Sequence, residues 1–102
     1  MFLIHVLLPV HDNNKRRFDR DQFAAIRNEL TKKFGGVTPF VRSPAVGLWK
    51  DEADQVSAGE VVMFEVMSPE LDQEWRASYR RRLAQLFRQD ELLIWAAKVT
   101  KL

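Results

Sequence analysis

The stretch Phe34-Gly35-Gly36-Val37-Thr38-Pro39-Phe40, with Pro44 and Gly47-Leu48-Trp49 close behind it, limits what this chain can fold into more than any other. A double glycine after an apolar helical stripe stops a helix, and the β-rich residues that follow start a strand. Proline has no amide hydrogen to give to a ladder, so Pro39 and Pro44 confine that strand to the edge of a sheet. Because Gly35-Gly36 follows a helix instead of preceding one, it reads as a cap and not as a phosphate-cradling loop.

The flanking segments give the order of elements. Residues 2 to 8 divide into Phe2, Ile4, Val6, Leu8 and Leu3, His5, Leu7, which is a strand apolar on both faces with one histidine on one of them. Pro9 to Arg17 lacks periodicity and predicts a solvated, mobile loop. Asp19 has the character of an N-cap, with Gln22 at the capping-box position and Phe18 and Phe23 as a hydrophobic staple. The stripe Phe23, Ile26, Leu30, Phe34 then runs to Gly35, with Lys32 and Lys33 favourably placed in the last turn.

The edge strand is expected at Val37 to Val41, resuming through Val46 to Trp49, and its hairpin partner at Val56 to Met67. Ser68-Pro69-Glu70 reads as a second helix start, with the serine as cap. Its stripe is Leu71, Trp75, Tyr79, Leu83, Leu86. At about 100° per residue Arg82 falls inside this stripe, so it must snorkel or find a carboxylate. Leu92 to Val99 closes the chain as a strand apolar on both faces.

The order βαββαβ over a single domain, residues 1–102, predicts an α+β ferredoxin-like fold, a four-stranded antiparallel sheet with two helices on one face. Its first and third strands are central. The face away from the helices then carries Leu3, His5, Leu7, Val61, Met63 and Glu65, and an apolar face of this kind calls for a partner, most simply a second copy. His5 and Glu65 fall on neighbouring strands and on this same face. A carboxylate beside an imidazole can orient it for acid–base work, while the plainer reading is a structural hydrogen bond. Arg42 and Arg82 are candidates to hold an anionic ligand, and Trp49 to border a pocket mouth; Trp75 and Trp95 are expected in the core.

Composition excludes more than it assigns. There are no cysteines, so thiolate chemistry, disulfides and cysteine zinc sites are out. With only two histidines, His11-Asp12 does not make a metal site, and no cofactor is expected. A net charge of +2 permits nucleic acid without indicating it. The central strands also lack the stacking aromatics, and Glu65 would repel phosphate. The apolar run from Phe2 to Val10 has no basic residue before it, unlike a secretory signal, and mean hydropathy is -0.30, so a cytoplasmic protein without a membrane segment is expected.

At Phe34-Gly35-Gly36-x-Thr38, Gly47-x-Trp49, Gly59-Glu60 and Phe87-x-Gln89 the chain resembles a group of small bacterial domains of ferredoxin-like appearance and unknown function. The resemblance spans roughly residues 30 to 95 and implies a fold and a bacterial origin, with no activity to carry over. The architecture also looks like that of dimeric α+β barrel proteins, some of them cofactor-independent monooxygenases and others binders or interaction modules. A tautomerase likeness fails, because Phe2 stands where those enzymes have their proline base. Two readings follow: a dimeric small-molecule binding or interaction protein, and alternatively a cofactor-independent monooxygenase-like or isomerase-like enzyme using His5 and Glu65.

Overall fold

The computed structural model describes residues 1–42, 49–50, 56–57 and 61–102, and side chains outside the stretch 40–60. Along the chain the elements are β1 (Phe2–Pro9), α1 (Arg20–Phe34), β2 (Thr38–Arg42), β3 (Trp49–Lys50), β4 (Val56–Ser57), β5 (Val61–Ser68), α2 (Gln73–Leu86) and β6 (Leu93–Lys98). The main sheet has four strands in the order β2-β5-β1-β6, all pairs antiparallel, with the short β3–β4 ladder as a separate two-stranded sheet. This is the expected α+β ferredoxin-like arrangement, with β1 and β5 central and the proline-bearing β2 at an edge.

The alternation in β1 decides the layering. Ile4, Val6 and Leu8 are buried and share one core with Val62, Phe64 and Val66 of β5, Ile26 and Leu30 of α1, and Tyr79 and Leu83 of α2. Phe87 is also fully buried, with the Phe18 ring edge-on at 5.0 Å and the Phe23 ring tilted at 5.4 Å. Each fully buried side chain of this size contributes about 1.5–3 kcal/mol of transfer free energy, so the helix side of the sheet supplies most of the stability.

The first helix follows its sequence signals closely. Asp19 accepts from the Asp21 amide, the capping box with Gln22 is complete, and Gly35 is left-handed at φ 81° with its amide donating to the Thr31 carbonyl. The second helix departs from them. Ser68 ends β5 and donates its hydroxyl to the Glu70 carbonyl, while Asp72 is the N-cap and accepts from the Trp75 amide at 3.0 Å. Two residues with cap chemistry stand four apart, and the later one fits the geometry. At the other end Leu86 is exposed, and the following residue, Phe87, takes the core position.

Helix α2 ends without glycine. The Gln89 amide donates to the Ala84 carbonyl and the Arg88 amide to the Gln85 carbonyl, the paired bonds of a Schellman stop, with Arg88 left-handed at φ 53°. Two further expectations are revised. Pro9 to Arg17 is not a solvated loop throughout, since Pro9 ends β1 and Val10 is buried in the core; residues 13–17 are exposed and belong to a hydrogen-bonded turn, in which the Asp12 carboxylate accepts from the Asn14 and Arg16 amides at 2.8 and 2.9 Å. These amides hold the Asp12 carboxyl below its ordinary range, the Arg16 bond foremost. The hairpin is divided, with β2 pairing β5 (Arg42 opposite Val61) and Trp49 opposite Ser57 in another register; Val46, Gly47, Leu48, Pro44 and Gly59-Glu60 lie outside the described residues.

The two left-handed caps make opposite predictions. A Cβ at Gly35 meets nothing within 4 Å, so the cost of Gly35→Ala is backbone strain alone, and a loss of about 1 kcal/mol is expected. Arg88→Gly relieves the same strain and is expected to gain about 0.5–1 kcal/mol. Urea unfolding midpoints of the two variants should therefore move in opposite directions.

Candidate functional site

On the sheet face away from the helices, strand register sets Trp95 of β6 opposite His5 of β1, His5 opposite Glu65 of β5, and Glu65 opposite Thr38 of β2. Opposed residues on antiparallel strands share a face and lie close enough for side chains to meet. His5 Nε2 is 2.9 Å from Glu65 Oε2, and the imidazole stacks on the Trp95 indole with ring centroids 5.0 Å apart and planes 21° from parallel. A carboxylate only accepts, so the hydrogen of this bond sits on Nε2. His5 Nδ1 is buried and has no hydrogen-bond partner among the described residues.

The pair is partly shielded, with the His5 side chain 13% and the Glu65 side chain 28% accessible. Around it the face is apolar. Leu93, Met67 and Trp95 are 58%, 52% and 38% exposed, and Leu3, Leu7 and Met63 are half-buried. Trp95 is thus a surface residue of the open face and not the core residue expected. The sequence pattern could not tell this, since a strand apolar on both faces does not say which face is covered.

Two grooves each take one end of this row into their walls, and Phe34 and Met67 are common to both. One, about 480 Å³, has Glu65, Thr38, Leu3 and Met67 in its wall together with Gly35 and Gly36. The other, about 470 Å³, has Trp95 in its wall with Lys33, Trp75 and Arg76. His5 itself is in the wall of neither. What the arrangement can do chemically is accept or give a proton at an imidazole held by a carboxylate, or bind a flat ligand beside a stacked indole.

Of the remaining candidates, Arg82 has a described side chain, and it does not join the pair. Arg42 is in β2 and Trp49 in β3, and their side chains lie outside the described residues. Arg82 is on α2, across the sheet from His5. There its guanidinium pairs with Glu29 of α1 and lies over the Tyr79 ring at 5.4 Å, the carboxylate its place in the stripe required. The Tyr79 hydroxyl donates to the other Glu29 oxygen at 3.1 Å. Among the described residues no group of three or more metal-ligating side chains occurs, and no helix is long and apolar enough to cross a membrane.

No family model matches this chain, and no curated protein does. Among solved structures it is similar to a phage SAM lyase in complex with S-methyl-5'-thioadenosine, with a TM-score of 0.68 over 95% of this chain and 80% of that one. Identity is 12%, so the likeness concerns the fold.

Tyr79 is the sole tyrosine, which makes its cluster directly measurable. Burial above all, then the Glu29 charge and hydrogen bond, push its phenol well above the ordinary value, with Arg82 pulling the other way. A raised folded value means the folded state holds its proton longer, so this contribution to stability is complete below about pH 10 and declines as pH rises further. Absorbance titration should place the phenol transition above that of free tyrosine, and Glu29→Gln should lower it.

Proposed function

We propose that the protein is a small-molecule-binding module that works as a homodimer, two copies meeting open sheet face to open sheet face around His5 and Glu65. The observation that carries this reading is a hydrogen-bonded imidazole–carboxylate pair at the middle of an apolar sheet face opposite the helices. Covering the rest of Leu93, Met67 or Trp95 is worth about 1 kcal/mol each. Association costs about 4–15 kcal/mol, so contacts along one strand edge fall short and the half-buried Leu3, Leu7 and Met63 must be covered too. That requirement favours face-to-face packing over edge pairing.

Inside such an interface the pair would lose water, and a polar pair kept there at that cost suits recognition of a polar group on a ligand. A small flat ligand would use the indole and the groove that has Glu65 in its wall. The phage SAM lyase holds S-methyl-5'-thioadenosine, which makes that nucleoside a reasonable first probe. The second reading, a cofactor-independent enzyme with His5 as acid–base group and Glu65 orienting it, draws on the same 2.9 Å bond. It ranks second because neither adjacent groove has His5 in its wall.

Sedimentation at micromolar concentration tests the dimer. The wild-type chain is expected at twice the 11.9 kDa of one copy, and Met67→Asp with Leu93→Asp at one copy. A wild-type monomer would sink the proposal. Calorimetric titration with S-methyl-5'-thioadenosine, and native mass spectrometry for molecules that copurify, test the ligand site, with Glu65→Gln expected to weaken binding about tenfold or more.

A further inference from the structure

A third groove, about 350 Å³, lies on the helix side of the sheet, between α1 and the edge strand β2. Among the described residues neither helix covers the margin of β2 there, and Pro39 is exposed. Phe23, Pro39 and Val62 give the groove an apolar lining. Arg17, Arg20 and Arg27 stand in the same wall and are all exposed. Arg20 and Arg27 are seven residues apart on α1, two turns of one helix face, with Phe23 between them. Arg17 comes from the turn before the helix, so the charge converges from two segments.

Among the described residues these guanidiniums make no ion pair. The ion pairs among the described residues join His5 to Glu65, Lys33 to Asp72 and Arg82 to Glu29. The nearby Asp12 and Asp19 carboxylates accept from backbone amides of their own turns. A net charge of only +2 also argues against a general basic coat as the origin of the cluster.

We infer that this groove is a binding site for a small organic anion with an apolar body, its carboxylate, sulfonate or phosphate held by Arg17, Arg20 and Arg27 and its hydrocarbon part on Phe23 and Pro39. Guanidinium forks match such oxyanions in geometry and charge, and the groove volume is in the range of small-ligand sites. This site is on the opposite side of the sheet from His5 and does not depend on the dimer.

The test uses 8-anilinonaphthalene-1-sulfonate and its uncharged parent N-phenyl-1-naphthylamine, titrated into the full chain by fluorescence. Saturable binding of the sulfonate is expected, with the uncharged compound about tenfold weaker or worse. Arg20→Gln with Arg27→Gln should weaken the sulfonate by about tenfold or more. Both positions are exposed, so an unchanged melting temperature is expected to accompany that loss. Leu93→Asp, on the open face, should leave it as in the wild-type chain. Equal binding of the two compounds, unchanged binding in the arginine variant, or a loss confined to Leu93→Asp would overturn the inference. Cosedimentation with phosphatidylserine vesicles without binding of the free sulfonate would overturn it as well, in favour of a membrane surface.

Discussion

The fold depends on β1 being paired on both sides. With β5 along one edge and β6 along the other, its backbone groups are satisfied within the sheet and its side chains are left to decide the two faces. Ile4, Val6 and Leu8 draw both helices to one face and form the core. The same alternation then places Leu3, His5 and Leu7 on the other, because successive strand residues point to opposite sides. The core and the exposed face are therefore two consequences of one strand. A change that improved the open face by shifting register by one residue would destroy the core.

How much of this was legible in the sequence varies with the range of the interaction that decides each feature. The first helix was readable residue by residue, since Asp19, Gln22 and Gly35 act within a turn of where they stand. The strand order and the shared face of His5 and Glu65 followed from element order and a period of two. Failures came where two local signals competed. Ser68-Pro69-Glu70 and Asp72 both carry start chemistry, and the long-range pairing of Ser68 with Phe2 in the β5–β1 ladder leaves the later one to cap the helix. Leu86 and Phe87 are both apolar neighbours at a helix end, and the rings of Phe18 and Phe23, distant in sequence, choose Phe87. Arg88 in a left-handed cap gives no glycine signal at all.

The His5–Glu65 contact shows the same limit from the functional side. Face assignment put the two residues together, but direct opposition needed the register, and register depends on the whole length of both strands. Trp95 was beyond reach because it needed the register of β6 against β1, and its own strand is apolar on both faces. The resulting row, indole, imidazole and carboxylate, is unlike an RNA-binding platform. Such a platform presents rings for stacking beside cations, whereas here the ring next to the indole is bound to an anion.

The two sides of the sheet thus offer unlike chemistry from one small domain. The open face joins apolar side chains to a polar pair whose imidazole is 13% accessible, so what binds there must displace water from a mostly hydrophobic surface. The groove beside β2 joins three exposed guanidiniums to an apolar floor, so what binds there keeps its charge at the rim, where water remains. Overall charge conceals this contrast, since +2 is the small remainder of 16 basic and 14 acidic residues. The distribution comes from topology: two helices cannot shield both the back of the sheet and its proline-marked edge. Both surfaces therefore arise from strands that the helices leave uncovered, one for its full face and one along its margin.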